Sequence, residues 1–418
     1  MSGSKIHAIY ADPRGKLQVD SDLIAVGLNG DQVEPADATW IDLPAGGDLM
    51  LLPGRLPLGF NENSGALEVA EASEAGPVTA VAAILPVGLT RCLLPGYEID
   101  DYQELPLFGY TAVGSDGDRL KVAAVRTDAD LKWNPVYYNT PDLPGLIAKK
   151  RGEFPENRIL RQLARCAEEY HCLTAQNIFY ERWEAGIPVS PVCNASCMGC
   201  ISRQPAECCP APQSRIKFIP TISEVVSLAA GHLERAGDAI VSFGQGCEGE
   251  PSLQADLLEP TIRSIRERTS SGTININSNA GATGAIRRLV DAGLDGIRVS
   301  LFSARPENYC WYHQPSGYDL AAVEHSAAYA AEHGVNVALN LLLYPGFTNH
   351  PAETEALYGF LTRTGVRQIQ LRNLNLDPEW LTEKLTSGPL PGITEWLDRL
   401  KENFPGLAVG NYTQPRSG

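Results

Sequence analysis

"SPVCNASCMGCISRQ" (residues 190–204) brings Cys193, Cys197 and Cys200 together at the spacing Cys-x3-Cys-x2-Cys. A flexible loop with this spacing can supply three thiolates to a cubane iron–sulfur cluster and leave the fourth iron open to a small molecule. Zinc is the competing interpretation, because structural zinc takes four ligands and the cysteine pair at 208–209 could provide the fourth thiolate. The loop therefore predicts a metal centre and leaves its kind open.

The sequence beyond this loop alternates between strand and helix patterns. The first strand is predicted at residues 186–192, directly before the cysteines, and the sixth at residues 366–374. A capping box from Thr221 to Glu224 marks the start of the first intervening helix. The strands are continuous and rich in β-branched residues, which is typical of a parallel sheet covered on both faces. The sequence therefore predicts an α/β fold with a partial (β/α)6 parallel barrel, whose chemistry lies on the loops after the strands' carboxyl ends.

The second strand pattern ends in "SFGQGCEGEPSL" (residues 242–253), a glycine-rich turn that carries carboxylates. In such a turn, backbone carbonyls and Glu250 can approach a bound ammonium group. The cysteine loop and the Gly249-Glu250-Pro251 sequence, in this order on successive strands, resemble the cluster loop and the glycine–glutamate motif of the radical SAM superfamily. The resemblance covers about residues 186–375, less than half of the chain.

This resemblance implies a barrel of the radical SAM type and a set of cofactors. The three cysteines would bind a 4Fe-4S cluster, and the open iron would bind S-adenosylmethionine. Reductive cleavage of that molecule would give a 5′-deoxyadenosyl radical that abstracts hydrogen from an unidentified substrate, with electrons from an external donor such as flavodoxin or ferredoxin. The expected contacts to S-adenosylmethionine are Gly249, Glu250, Pro251, Asn279, Ser300 and Asn340.

Two features depart from the pattern of that family. Many members carry an aromatic residue just before the third cysteine, where this chain has Gly199. The adenine contact is then expected from Phe243, Phe302 or Phe347. The glycine–glutamate turn also contains a second carboxylate, Glu248, which could share or replace the role of Glu250.

Two interpretations remain open for each of three further features of the sequence. "YCWYHQP" (residues 309–315) is either a wall or lid of the pocket or an ordinary packed loop. Arg372 is either an anchor for an anionic substrate or half of a buried salt bridge. Cys247 is either a redox partner or a packing residue, and a second cluster would draw on Cys208, Cys209, Cys247 or Cys310.

The remaining chain is predicted to form an accessory region and two connecting parts. Residues 1–145 are predicted as a β-rich domain, with hairpins that turn at residues 13–15 and 115–118. A helical connector is expected at 146–185, the barrel at 186–380, and a C-terminal helix and tail at 381–418. The β-rich domain carries no chemical motif.

Composition narrows the class of protein. The 418 residues carry a net charge of -16, so the chain lacks the basic field of a general nucleic-acid binder and a small molecule or peptide is the favoured substrate. The longest apolar stretch, at 78–89, is too short for a bilayer, and we expect a cytoplasmic protein without a membrane partner. Ten cysteines then indicate metal or redox chemistry. The alternatives to an enzyme are a non-catalytic iron–sulfur electron carrier or redox sensor, and a zinc-stapled binding module.

Overall fold

The structure is a computed structural model that describes residues 5–128, 132–203, 211–385 and 387–415. A β-rich region comes first, three helices follow, and a parallel α/β sheet completes the chain. In these described ranges, we find no helix that is both long and apolar enough to cross a membrane.

The β-rich region is built from antiparallel strands. Thirteen of them share one sheet, whose main path runs β13-β6-β2-β1-β15-β16-β4. The strands are β1 (His7–Ala11), β2 (Leu17–Asn29), β3 (Gln32–Pro35), β4 (Ile41–Asp42), β5 (Asp48–Leu52), β6 (Arg55–Asn61), β7 (Ala66–Val69), β8 (Ala72–Ser73), β9 (Gly76–Pro77), β10 (Thr79–Ile84), β11 (Leu89–Arg91), β12 (Leu94–Pro95), β13 (Tyr97–Ile99), β14 (Tyr110–Thr111), β15 (Val113–Ser115), β16 (Leu120–Val122) and β17 (Ala124–Arg126).

Both predicted hairpins are confirmed, since β1 pairs with β2 and β15 with β16. In the first turn the Asp12 carboxylate accepts the backbone N–H groups of Arg14 and Lys16. Gly15 adopts a φ of 75°, which suits a residue without a Cβ. Local turn chemistry is therefore sufficient to fix this hairpin.

Three helices lead from the β-rich region to the parallel sheet: α1 (Leu143–Glu153), α2 (Arg158–Glu168) and α3 (Leu173–Tyr180). Helix α2 begins at Asn157, whose side chain accepts the N–H of Leu160. The apolar face of α2 packs on α1, α3 and α4 and joins the hydrophobic core of the parallel sheet.

The parallel sheet has seven strands in unbroken sequence order. This order, with helices in the crossovers, gives the predicted partial barrel plus one extra strand at its end. The strands are β18 (Arg182–Gly186), β19 (Gly237–Phe243), β20 (Thr273–Ser278), β21 (Gly296–Leu301), β22 (Asn336–Leu343), β23 (Gln368–Asn373) and β24 (Ala408–Gly410). The helices are α4 (Ile222–Arg235), α5 (Ala255–Arg268), α6 (Thr283–Asp291), α7 (Pro306–His313), α8 (Leu320–Glu332), α9 (Pro351–Thr364) and α10 (Ile393–Asn403).

The first parallel strand lies earlier than predicted. It ends at Gly186, where the sequence pattern placed its start. Pro188 and Pro191 lack the amide N–H that a strand ladder needs, so residues 187–192 continue as an extended loop. The helix after this loop does begin with the predicted capping box, in which Thr221 and Glu224 bond each other's backbone.

The β-rich region is held against the barrel by buried cations. The guanidinium of Arg55 donates to both carboxylate oxygens of Asp377, at 3.1 and 3.3 Å, and both side chains are fully buried. Arg91 donates to the carbonyls of Leu343 and Leu374 at the carboxyl end of the sheet. These bonds place the β-rich region over the carboxyl edge of the barrel.

Candidate active site

A cavity of about 600 Å³ lies at the carboxyl edge of the parallel sheet. It is within the size range of small-molecule sites. The sequence predicted nine residues as cluster ligands or contacts to S-adenosylmethionine, and all of them except Pro251 line the cavity. The eight are Cys193, Cys197, Cys200, Gly249, Glu250, Asn279, Ser300 and Asn340.

The turn after β19 clasps the start of the cysteine loop. Gly249 donates its N–H to the carbonyl of Ser190 at 2.7 Å, and Glu250 donates its N–H to the carbonyl of Val192 at 2.8 Å. A Cβ on Gly249 would clash with the Val192 carbonyl and with the backbone of Cys193. Glycine is therefore required here because the two loops touch backbone to backbone.

Glu248 braces this clasp from inside the protein. Its two carboxylate oxygens accept four backbone N–H groups, from Val189, Ser190, Gly244 and Gln245, at 2.6 to 2.9 Å. Burial raises the pKa of Glu248 to about 7, and the four donors oppose that shift. Through these bonds Glu248 joins the two loops, and it lines the cavity together with Glu250.

Glu250 presents a partly satisfied carboxylate to the cavity. One oxygen accepts the Ser278 hydroxyl at 2.6 Å and the Ser252 N–H at 2.9 Å, while the other accepts the Asn279 N–H at 2.8 Å. Burial raises the pKa of Glu250 above its usual range, against the effect of these donors. The Asn279 amide donates to Asn194 at 2.7 Å and so ties the third strand to the cysteine loop.

The cysteine loop also rests on helix α7. His313 accepts the backbone N–H of Phe302 at its Nε2 atom, 3.2 Å away. Nδ1 therefore carries the proton and faces the Sγ of Cys197 at 3.3 Å. On the other side of the loop, Arg215 donates to the Sγ of Cys200 at 3.5 Å.

Burial raises the pKa of Cys193 and Cys197, and the positive charge of Arg215 acts against this shift at Cys193. A metal ligand must be a thiolate, and hydrogen bonds to sulfur stabilise that form. The imidazole and the guanidinium thus offset part of the cost of a buried negative sulfur.

Gly199 is explained by the aromatic residue that packs on it. A Cβ at this position would lie 2.6 Å from the hydroxyl oxygen of Tyr312 and 2.6 Å from the carbonyl oxygen of Asn375. Tyr312 lines the cavity and stacks on Phe302, whose ring stacks in turn on Phe347, with 4.5 Å between each pair of ring centroids.

The three phenylalanines expected at the adenine site do not line this cavity. Phe243 is buried in the barrel core, and Phe302 and Phe347 stand behind Tyr312. Tyr312 and His313 come from the "YCWYHQP" motif, as the pocket-wall interpretation predicts. Sequence reasoning missed Tyr312 because nothing in the local pattern shows that α7 packs on the cysteine loop.

The β-rich region supplies the opposite wall of the cavity. Residues 84–87, at the end of β10 and just after it, line the cavity together with Leu89, Phe108 and Gly109. These side chains are largely apolar, so they narrow the access of water to the cysteine loop. The sequence gave this region no chemical role, and the structure makes it part of the site.

Two of the cysteines named for a second cluster, Cys247 and Cys310, do not line the cavity. Cys247 is buried in the barrel core and Cys310 is exposed on α7. Cys208 and Cys209, which the zinc and second-cluster hypotheses invoke, lie outside the described residues. Over the described ranges, no three His, Cys, Asp or Glu side chains converge on a point that could hold one metal ion.

The donor set fits an iron–sulfur cluster. In a cubane each cysteine binds a different iron, so three thiolates surround the cluster without meeting at one point. Three cysteines on one loop face one cavity, and two of them have hydrogen-bond donors at the sulfur. The carboxylate of Glu250 lines the same cavity, where a positively charged amino group would be stabilised.

Residues 187–358 match the family model of the radical SAM superfamily. This part of the chain is a radical SAM domain, and enzymes of that superfamily use a 4Fe-4S cluster and S-adenosylmethionine.

A curated relative and several solved structures are similar to the chain. Mitochondrial GTP 3′,8-cyclase from Arabidopsis thaliana is 25% identical over 228 residues, which are 53% of this chain and 53% of that protein. The chain thus spans about half the length of this relative.

The similar structures include the hydrogenase maturase HydG (16% identity, 64% of this chain and 62% of that chain, TM-score 0.39) and methylornithine synthase PylB (14%, 65% and 75%, 0.40). SuiB from Streptococcus suis bound to S-adenosylmethionine is a third (12%, 65% and 61%, 0.39).

Proposed function

We propose that this chain is a radical SAM enzyme that acts on a substrate held in the cavity between the barrel and the β-rich region. Cys193, Cys197 and Cys200 bind the 4Fe-4S cluster. The observation that carries this proposal is that the three thiols and the Glu250 carboxylate line one cavity at the carboxyl edge of a parallel barrel.

The site residues have separate roles in this proposal. Glu250 accepts the amino group of S-adenosylmethionine, and Gly249 lets the turn approach the cysteine loop. Pro251 starts the short 3-10 helix 251–254, which fixes the Glu250 backbone. Asn279, Ser300 and Asn340 present polar groups from the next three strands.

The bound cofactors supply one-electron cleavage of the sulfonium and a 5′-deoxyadenosyl radical that takes a hydrogen atom from the substrate. The chain itself orients the reactants and excludes water. The apolar wall at residues 84–87 and the ring of Phe108 protect the reacting atoms from solvent. An external donor such as flavodoxin or ferredoxin delivers the electron.

Release of 5′-deoxyadenosine tests this proposal. Anaerobic protein with a reconstituted cluster is mixed with dithionite and S-adenosylmethionine, and the products are separated by chromatography. We expect 5′-deoxyadenosine and methionine from the native protein. An intact cluster without either product would favour the electron-carrier alternative and contradict the enzyme.

A pair of cysteine variants tests the ligand assignment. Cys197→Ala removes a thiolate that lines the cavity, so we expect loss of the iron and of the cluster's visible absorbance with the fold retained. Cys310→Ala is the matched control, because Cys310 is exposed and does not line the cavity. Full iron content in Cys197→Ala would refute the assignment.

A further inference from the structure

Two arginines enter the cavity from inside the barrel. Arg298 lies on β21 and Arg372 on β23, and both line the cavity. They share one acceptor, the Oε1 atom of Gln370, at 2.7 Å from Arg298 and 3.3 Å from Arg372. The cysteines lie on a loop beyond the strands, so the guanidiniums and the thiols occupy different parts of one cavity.

The positive charge of these arginines is incompletely balanced. Arg298 has one carboxylate partner, Glu184, at 3.5 Å, and Glu184 also accepts the Ser242 hydroxyl at 2.6 Å. Across the described residues, Arg372 has no carboxylate within 4.0 Å. The buried-salt-bridge interpretation of Arg372 is therefore not supported by any described residue.

Arg372 is half-buried at the cavity wall. Desolvation and the repulsion of Arg298 lower the pKa of Arg372 to about 10, although Glu184 and Asp128 act in the opposite direction from a distance. The guanidinium still carries its charge at neutral pH. A partly buried cation without a direct counter-ion has lost some of its hydration, and a bound anion would compensate for that loss.

Two neighbouring polar atoms have no hydrogen-bond partner among the described residues. They are the buried Nε2 atom of Gln370 and the buried Oδ1 atom of Asn340. The two residues are direct neighbours in the β22–β23 pairing. A buried unsatisfied amide is uncommon, because such a group has lost its hydrogen bonds to water. An anion would accept hydrogen bonds from the Gln370 amide and the two guanidiniums, whereas the Asn340 oxygen is itself an acceptor and adds no support for an anion.

We propose that Arg298 and Arg372 bind a phosphate or carboxylate group of the substrate, so the enzyme acts on an anionic small molecule. This inference rests on the proposed function, because it places the substrate in the same cavity. A guanidinium fork matches the paired oxygens of either anion.

Calorimetric titration of inorganic phosphate and of succinate tests the anion site. Each anion is added to cluster-loaded protein, with and without saturating S-adenosylmethionine. We expect at least one of them to bind, with an affinity that S-adenosylmethionine does not weaken. Binding of phosphate alone or succinate alone identifies the anionic group. No binding of either anion, or competition by S-adenosylmethionine, would overturn the proposal.

Three variants assign the binding to Arg372. Arg372→Gln removes the charge, and we expect at least a tenfold loss of anion affinity. Arg372→Lys retains the charge but loses the paired N–H donors of the guanidinium, so its anion affinity should lie between those of the native protein and Arg372→Gln. Arg367→Gln is the matched control on the same segment, because Arg367 is exposed just before β23.

Iron content and circular dichroism establish that each variant is folded and loaded. Equal anion affinity in native protein and Arg372→Gln would refute the assignment. The release of 5′-deoxyadenosine by native protein without an anion tests the enzyme itself, so the two proposals fail separately.

Discussion

His313 is expected to raise the reduction potential of the cluster that we propose Cys197 helps to bind. Its Nδ1–H group donates to the Cys197 sulfur at 3.3 Å, and its Nε2 atom is fixed by the N–H of Phe302. A donor at a ligand sulfur stabilises negative charge, and reduction adds negative charge to the cluster. His313→Leu removes this donor and should make the cluster harder to reduce.

The expected size of the effect follows from the hydrogen bond. A bond to a charged acceptor contributes about 1.5–3 kcal/mol, and the bond exists in both oxidation states. If about a third of this free energy is gained on reduction, the bond stabilises the reduced cluster relative to the oxidised one by about 0.5–1 kcal/mol. Because a factor of ten equals about 59 mV for one electron, the midpoint potential should fall by about 20–40 mV.

A redox titration monitored by electron paramagnetic resonance measures this shift in cluster-loaded protein without substrate. His313→Gln retains an amide donor and should recover part of the potential. His333→Gln is the control, because His333 is exposed and bonds the backbone of Tyr329. An unchanged or higher potential in His313→Leu, with native iron content, would refute the role of the imidazole.

Three other perturbations test the packing around the site. Gly199→Ala places a Cβ 2.6 Å from two oxygen atoms, so it should lower the free energy of unfolding by about 1–3 kcal/mol and reduce cluster loading. Gly145→Ala is the control, because a Cβ there would enter open space and should leave the iron content unchanged. Iron analysis compares the two variants. Asp377→Ala removes the carboxylate partner of the buried Arg55 and should lower the free energy of unfolding, measured in urea, by about 3–5 kcal/mol. A loss below about 1 kcal/mol would contradict the role of this ion pair in holding the β-rich region against the barrel. Burial lowers the pKa of His232 to about 4, so its neutral form stabilises the fold above pH 6.5 and this contribution is lost as the pH falls toward 4. In urea unfolding, the free energy of unfolding of His232→Gln should therefore depend less on pH between 6.5 and 4. An identical pH dependence in the native protein and the variant would contradict this role.

Local patterns were reliable where hydrogen bonds are made between near neighbours. The turn at Gly15 and the capping box at Thr221 both form as expected. The first parallel strand was misplaced because its apolar residues continue into a proline-containing loop. The strand Ala408–Gly410 was missed, since three residues carry no readable period and pair only because β23 offers a free edge.

The residues around the site could be predicted only in part, because many of their contacts are with residues distant in the sequence. The spacing of the cysteines and the Gly249-Glu250 turn were visible in the chain, and the cavity brings them together. Their partners were not visible: His313 lies 116 residues from the sulfur that it contacts. The four backbone N–H groups that bond the oxygens of Glu248 were not visible in the sequence either.

The sequence by itself determined the order of strands and helices and the ligand spacing of the cysteine loop, because both arise from contacts between near neighbours. The tertiary structure decided which side chains meet across the barrel, because that depends on sheet register and helix packing. It placed Tyr312 against Gly199, directed Arg298 and Arg372 into one cavity, and closed that cavity with the β-rich region. These contacts join residues more than 70 positions apart, a distance over which sequence periodicity carries no information.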